Sequence, residues 1–446
     1  MILIGNGRMI TRDPANPYYE NGAVCVKGNV IVEAGDFIQL KGKYPEAEFL
    51  DAVGGVIMPG LINTHHHIYS AMARGMSIPG YAPKNFSQIL EGLWWRLDRK
   101  LTLEQTSLSA CATYLDCIRN GVTTVFDHHA SYGSISGSLQ TIAEAARRMG
   151  VRTCLCYEVS ERDGEEKAKQ AVKENFDFAE YAQSEGGDML KAMMGLHASF
   201  TLSDQILEYI VSENKKGIGY HIHVAEGIAD VEDSLKKYGI PVVKRLEDRN
   251  ILGSKTLAVH CVHINEEEMD ILRETETVVI HNPESNMGNA VGCPKVLDMY
   301  AKGVLLGLGT DGYTSDMMET MKTANVLHKH DTKDPGAAWG EVPEMLFANN
   351  ARIAGRFFDT PLGVLRPGAA ADIIVTDYIP LTPMTGENYN SHILFGMSGR
   401  SVVTTMIDGT ILMKDRKLTQ TDEEELLARS RVQAAGLWES IRGIDR

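Results

Sequence analysis

The chain has 446 residues, too many for one ordinary domain but enough for a barrel of about 250 to 300 residues with a smaller unit beside it. Hydrophobic residues make up 43% of it and no low-complexity tract occurs, so a packed core needs no disulfide staples. The net charge of −15 argues against nucleic acid or an anionic membrane as partner and leaves an uncharged small molecule open.

Seven cysteines without a C-x-x-C pair read as buried thiols of a reducing compartment. The opening MILIGNGRMITRD has no basic stretch followed by a long apolar one. No run of about 18 apolar residues follows. A cytoplasmic protein is the expectation.

Residues 1–56 read as β-structure. Ala23–Val24–Cys25–Val26 and Val30–Ile31–Val32 alternate between the turn signals Asn21-Gly22 and Gly28-Asn29. The middle of the chain changes texture. Short apolar segments at 56–63, 121–127, 151–158, 191–197, 218–224, 255–261, 276–281 and 304–309 alternate with helical patterns. Asn265 and Glu268 make a capping box before one of those helices. Eight strand–helix repeats point to a closed parallel barrel, with an open doubly wound sheet as the alternative. The β-texture returns at 371–375 and 402–407, and Asp408-Gly409 marks a hairpin. The expected organisation is α/β. A small composite β-sandwich is drawn from 1–56 and 363–420, a distorted (β/α)8 TIM barrel spans 57–362, and a terminal helix spans 421–446.

Eleven of the fourteen histidines (65, 66, 67, 128, 129, 197, 221, 223, 260, 263 and 281) fall at or just past the C-terminal end of an expected barrel strand. In this architecture catalytic groups come from that end. Residues i and i+2 of a strand share a face, so His65 and His67 point together while His66 points away; His221 and His223 repeat the device. An H-x-H alone is as readily a pair of core histidines, and a lone Asp before Gly is ordinarily a turn residue. Asp311 stands out because it ends the last apolar strand. Together His65, His67, His223 and Asp311 form a ligand set, with Glu226 and His260 beside it. Three imidazoles and a carboxylate suit one divalent metal, zinc first and iron(II) as the alternative. Such an ion acidifies water enough to supply a nucleophile.

Motifs in order along the chain resemble the amidohydrolase superfamily, within the aminohydrolase group of cytosine, guanine and S-adenosylhomocysteine deaminases and triazine chlorohydrolases. They are PGLINTHHH (59–67), GVTTVFD (121–127), GLHASF (195–200), HIHVAE (221–226), AVHCVH (258–263), HNPESN (281–286), GLGTDG (307–312) and LGVLRPGAAADIIV (362–375). FDHHAS (126–131) and YEVSERDG (157–164) are similar to aminohydrolases associated with selenium metabolism.

The resemblance implies a distorted barrel and hydrolytic deamination of a nitrogen heterocycle. His65, His67, His223 and Asp311 would be the metal ligands. Glu226 would move protons to a ring nitrogen, His260 would orient the attacking oxygen, and Asp311 would double as a base. His197 matches a substrate contact. The fourth strand ends at His197 with no lysine there to bridge two ions, so one metal is expected. It also implies a homodimer.

Trp95, with Trp94, is a candidate wall for a planar substrate, with core packing the equal alternative. His128 is a candidate substrate contact or a structural histidine. His281 sits where related proteins approach substrate. His328, His330 and His392 have no constellation around them. The competing readings keep the site but change the leaving group to chloride, an alkylamine or a cyclic amide, or make the barrel a silent scaffold.

Overall fold

The computed structural model describes residues 1–443; the last three residues of the expected 421–446 helix lie outside the described residues. Among the described residues nine strands form one sheet from both ends of the chain. Its spine runs Lys417–Leu418, Thr410–Lys414, Val402–Ile407, Ile373–Thr376, Val56–Pro59, Ile2–Ile10, Tyr18–Lys27 and Val30–Asp36, and Glu48–Asp51 adds to Ile2–Ile10. Strand alternation sorts the two faces. Ile4, Val24, Val26, Ile31, Ile57 and Ile373 share one core, while Leu3, Ala23 and Cys25 pack with Leu40 of helix Phe37–Lys43 on the other. The last strand bonds back to the segment before Ile373 (Ile31 N to Ala369 O, 2.9 Å), so the sheet turns onto itself.

The barrel consists of eight parallel positions. Leu61–His66, Val122–His129, Arg152–Tyr157 and Leu190–Ala192 form one sheet. Met194–Ala198, Tyr220–Val224, Leu257–His260, Val278–His281 and Leu306–Leu308 form the other. The fourth position is broken at Met193: its first piece pairs back with strand three and its second forward with strand five. Two parallel bridges close the ring, Val159 with Leu196 and His66 with Asp311. The open doubly wound alternative is thereby excluded, and the split fourth strand is the distortion.

One strand departs from the sequence expectation. The segment 56–63 is two strands, not one. Val56–Pro59 joins the small sheet, antiparallel to Ile373–Thr376, and only Leu61–His66 enters the barrel. Gly60 divides them because a Cβ there would lie 2.2 Å from the Thr123 side chain. The apolar run gave no sign of this break, since both strands are buried.

Barrel and sheet are tied by Arg152, which starts strand three. Its Nε reaches Asp372 Oδ2 at 3.1 Å and its Nη2 reaches Asp408 Oδ1 at 3.4 Å. Helix Glu266–Glu274 carries the expected Asn265–Glu268 capping box. The terminal helix Glu423–Arg442 buries Leu437 and Ile441, and Trp438 Nε1 donates to Met72 O at 2.7 Å. Among the described residues no helix is long and apolar enough to cross a membrane.

Candidate metal centre and cleft

His65 and His67 leave the end of strand one on the same side. His223 arrives from strand five and Asp311 from just past strand eight. His65, His67 and His223 each offer a ring nitrogen within 4.8 Å of the others, and ring nitrogens of His65 and His260 and a carboxylate oxygen of Asp311 lie equally close together. His67 Nε2 lies 3.1 Å from Asp311 Oδ1 and 3.2 Å from His223 Nε2.

The second nitrogens determine where the protons sit. His67 Nδ1 donates to His128 O at 2.6 Å and His223 Nδ1 to His197 O at 2.8 Å. Both rings therefore turn an Nε2 lone pair inward. His65 Nδ1 contacts His221 Nε2 at 2.8 Å, which leaves His65 Nε2 buried without a partner. Burial first, then the neighbouring rings, holds His65 and His223 well below the usual histidine range. An inward cluster of lone pairs beside a carboxylate fits one divalent metal, and zinc suits these donors best. Lys191 is in strand four, but at its start, paired with Asp188 and Asp359 at 3.3 and 3.0 Å. A further cluster, His128 with Glu158 and His223, has similar spacing, but Arg162 already pairs Glu158.

Backbone strain aims the remaining groups. Ala225, His260 and Asp311 all take positive φ (47°, 74° and 54°), a region that costs non-glycine residues about 1–3 kcal/mol. Buried Asp230 supports the first of these turns, accepting from Ala225 N at 2.9 Å. Gly309 precedes Asp311 because a Cβ there would meet Asn282 at 2.6 Å and His65 at 2.8 Å. The turns bring His260 Nε2 to 3.4 Å from Glu226 Oε2 and 3.7 Å from Asp311 Oδ2.

Burial, with Asp311 nearby, pushes the Glu226 carboxyl well above the usual range. Burial pulls Asp311 the same way, but His67, His260 and hydrogen bonds from Ser285 (2.5 Å) and Gly312 (2.8 Å) carry it below. One acid favours its protonated form and the other its ionised form. Burial also lowers His260, to about 4.

A cleft opens over this cluster. It is lined by His67, His223, Glu226 and Asp311, by Trp94, Trp95 and His197, and by Tyr69, Phe86, Leu90 and Glu158, among others. His197 and Trp95 thus stand where substrate contacts are expected, with their rings 6.0 Å apart. Two expected contacts do not. His128 is fully buried beneath the cleft, its Nε2 donating to Leu196 O and His221 O at 3.1 and 3.2 Å. His281 is also fully buried and absent from the cleft wall; its Nε2 meets His328 Nε2 at 3.1 Å. His281 ends its strand facing helix Met317–Thr332, so His328 gains the partner that its sequence context did not show.

Sequence reasoning missed Ser285 and Asn289. They lie four apart, in and just past helix Pro283–Gly288, and reach Asp311 (2.5 Å) and Glu226 (3.3 Å). Their i, i+4 spacing after strand seven is the signal that would have found them.

Residues 56–412 match the amidohydrolase family model. A 5'-deoxyadenosine deaminase of Methanosarcina barkeri is 34% identical over 435 residues, 96% of each chain. A 5-methylthioadenosine/S-adenosylhomocysteine deaminase of Syntrophomonas wolfei is 32% identical over 448 residues, covering 98% of this chain and 99% of the relative. Among solved structures, a zinc-bound adenosine deaminase of Xanthomonas campestris superposes with a TM-score of 0.87 at 21% identity, over 98% of both chains.

Proposed function

The chain belongs to the amidohydrolase family as a metal-dependent hydrolase of non-peptide carbon–nitrogen bonds that deaminates a nitrogen heterocycle, and on that premise we propose that its substrate is an adenine nucleoside, from which it releases ammonia. The observation that carries the reading is the placement of Glu226 and Asp311 at the cleft floor, 3.4 and 3.7 Å from His260 Nε2. The relatives' substrates supply the base.

We assign His65, His67, His223 and Asp311 to the metal. When bound, the ion acidifies water and stabilises developing negative charge. The chain's own groups do the rest. Glu226, whose carboxyl burial pushes toward its protonated form, donates to ring nitrogen N1 and makes C6 electrophilic. Asp311 and His260 lie within reach of the incoming water oxygen and orient it; Asp311 takes its proton. The C–O bond forms as the ring nitrogen is protonated. The C6–N bond breaks as Asp311 passes the proton it took to the amino group; ammonia leaves, the C6–O bond becomes a carbonyl, and the hydroxyl proton returns to Glu226. His197 and Trp95 hold the base, and Tyr69, Trp94 and Leu90 keep water from the cleft wall.

No lysine or arginine lines the cleft among the described residues. An anionic substituent on the nucleoside would find no countercharge there. The proposal therefore favours a nucleoside with an uncharged 5' substituent over one that carries a carboxylate. It includes a homodimer acting in the cytoplasm, which light scattering and cell fractionation test.

Ammonia release from metal-replete protein is the direct assay, with 5'-deoxyadenosine, 5'-methylthioadenosine, S-adenosylhomocysteine, guanine and cytosine supplied in parallel. The adenine nucleosides are expected to be turned over, S-adenosylhomocysteine least well. Activity confined to guanine or cytosine would overturn the substrate proposal.

A further inference from the structure

Of the acids in the cleft wall, the reaction leaves one unused. Glu158 follows barrel strand three and is 4% exposed, yet it forms part of the cleft wall beside Trp95 and His197. Its Oε1 accepts from Arg162 Nη2 at 3.3 Å. Its Oε2 has no hydrogen-bond donor among the described residues. His128 Nδ1 lies 3.9 Å away, beyond hydrogen-bond length. That nitrogen is itself without a partner, because His128 commits its Nε2–H to two backbone carbonyls. Two acceptors thus face one space.

The carboxylate is also fixed in place. Arg162 is gripped by Asp98 at 2.5 and 3.3 Å and lies over the Tyr132 ring at 4.1 Å. An ionised carboxylate accepts hydrogen bonds and cannot donate them. Buried with one oxygen unmatched, it favours a ligand that brings hydroxyl donors and penalises one that lacks them. Glu226 approaches the cleft from strand five and Glu158 from strand three, so the second acid meets a different part of the substrate from the first.

We infer that Glu158 is a specificity-determining residue that accepts hydrogen bonds from a hydroxyl-bearing part of the substrate. This rests on the nucleoside reading above, in which that part is the vicinal diol of the ribose. A diol offers two O–H donors to one carboxylate. A dideoxy sugar offers none.

The test compares kcat and KM for adenosine and 2',3'-dideoxyadenosine in the wild type, Glu158→Gln and Glu158→Ala, at equal metal content. Asp98 keeps Arg162 paired in both variants, and thermal midpoints report whether they fold. The wild type is expected to prefer the diol by about 100-fold or more, since a site built around a substrate hydroxyl rejects the analogue without it. Glu158→Ala should lose at least about tenfold of that preference through KM for adenosine, with dideoxyadenosine changed by no more than about twofold. Glu158→Gln, which retains one acceptor oxygen, should fall between; it decides the matter alone if Glu158→Ala does not fold.

A purely structural role would depress both substrates together. An active wild type whose diol preference survives in the variants overturns the assignment of Glu158 and leaves the nucleoside reading standing. A wild type that deaminates neither of these nucleosides, nor 5'-deoxyadenosine nor 5'-methylthioadenosine, overturns both.

Discussion

His67 Nε2 and His223 Nε2 face each other at 3.2 Å, and neither has a proton to offer the other, because each ring spends its Nδ1–H on a backbone carbonyl. Two lone pairs at that distance repel unless a cation lies between them. The barrel thus holds these candidate ligands in an arrangement that a bound ion would stabilise. Metal analysis should find one divalent ion per chain. Chelation should lower the thermal midpoint, since a ligand at about 1,000 times its Kd stabilises the folded state by about 4 kcal/mol. His67→Ala and His223→Ala should each lose the ion. A metal-free protein that melts at the same temperature as the loaded one would sink this prediction.

Glu226 is separable from the metal because its carboxyl is positioned through Asn289 and its contact with His260 rather than through the ligand cluster. Glu226→Gln keeps the shape and the hydrogen bond but removes the transferable proton. The rate should fall by about 10²–10⁴-fold with metal content unchanged. Steady-state kinetics beside elemental analysis measures both, and near-normal turnover would rule out the proton-transfer role.

Arg152 and Asp372 form a buried pair, their side chains 1% and 3% exposed, across the joint between barrel and sheet. Removing one partner of a buried pair costs about 3–5 kcal/mol when the other charge is left unpaired; Asp408, 3.4 Å from Arg152, keeps part of the compensation and puts the cost at the low end of that range. Asp372→Ala should destabilise the chain by that order in denaturant unfolding. The folded fraction should retain its kcat, because neither residue reaches the cleft. A stability change below about 1 kcal/mol would contradict the account.

Burial pushes His129 down to about 3 and His328 down to about 4 in the folded chain, against 6.5 for an unperturbed ring. Between those values the unfolded chain binds more protons than the folded one. Stability is therefore complete above about pH 6.5 and is lost as the pH falls toward 4 and then 3. Thermal midpoints should decline progressively from about pH 6.5 to about pH 4.5. His129→Asn removes one of the groups, so its decline should be shallower. An equal or steeper slope in the variant would refute this assignment.

Much of the site was legible because its geometry is local. Two residues apart on a strand means one face, so His65 with His67 needed no coordinates. The strand-end position of Glu226 and Asp311 followed from the same repeat. What was hidden lies in contacts between strands. No local pattern distinguishes His197, at the cleft wall, from His281, which ends a strand equally well but turns toward a helix and pairs with His328. The fate of Val56–Pro59 depended on a partner more than 300 residues away, Ile373–Thr376.

The sequence by itself determined the barrel and which residues stand as candidate ligands at its strand ends, since periodicity and turn chemistry are properties of neighbouring residues. The tertiary structure alone decided which ring nitrogens meet backbone carbonyls, which acid burial pushes up and which its neighbours hold down, and that Glu158 keeps an unmatched oxygen in the cleft wall. Those are matters of burial and of hydrogen bonds between distant segments, and such quantities exist only once the chain has closed on itself.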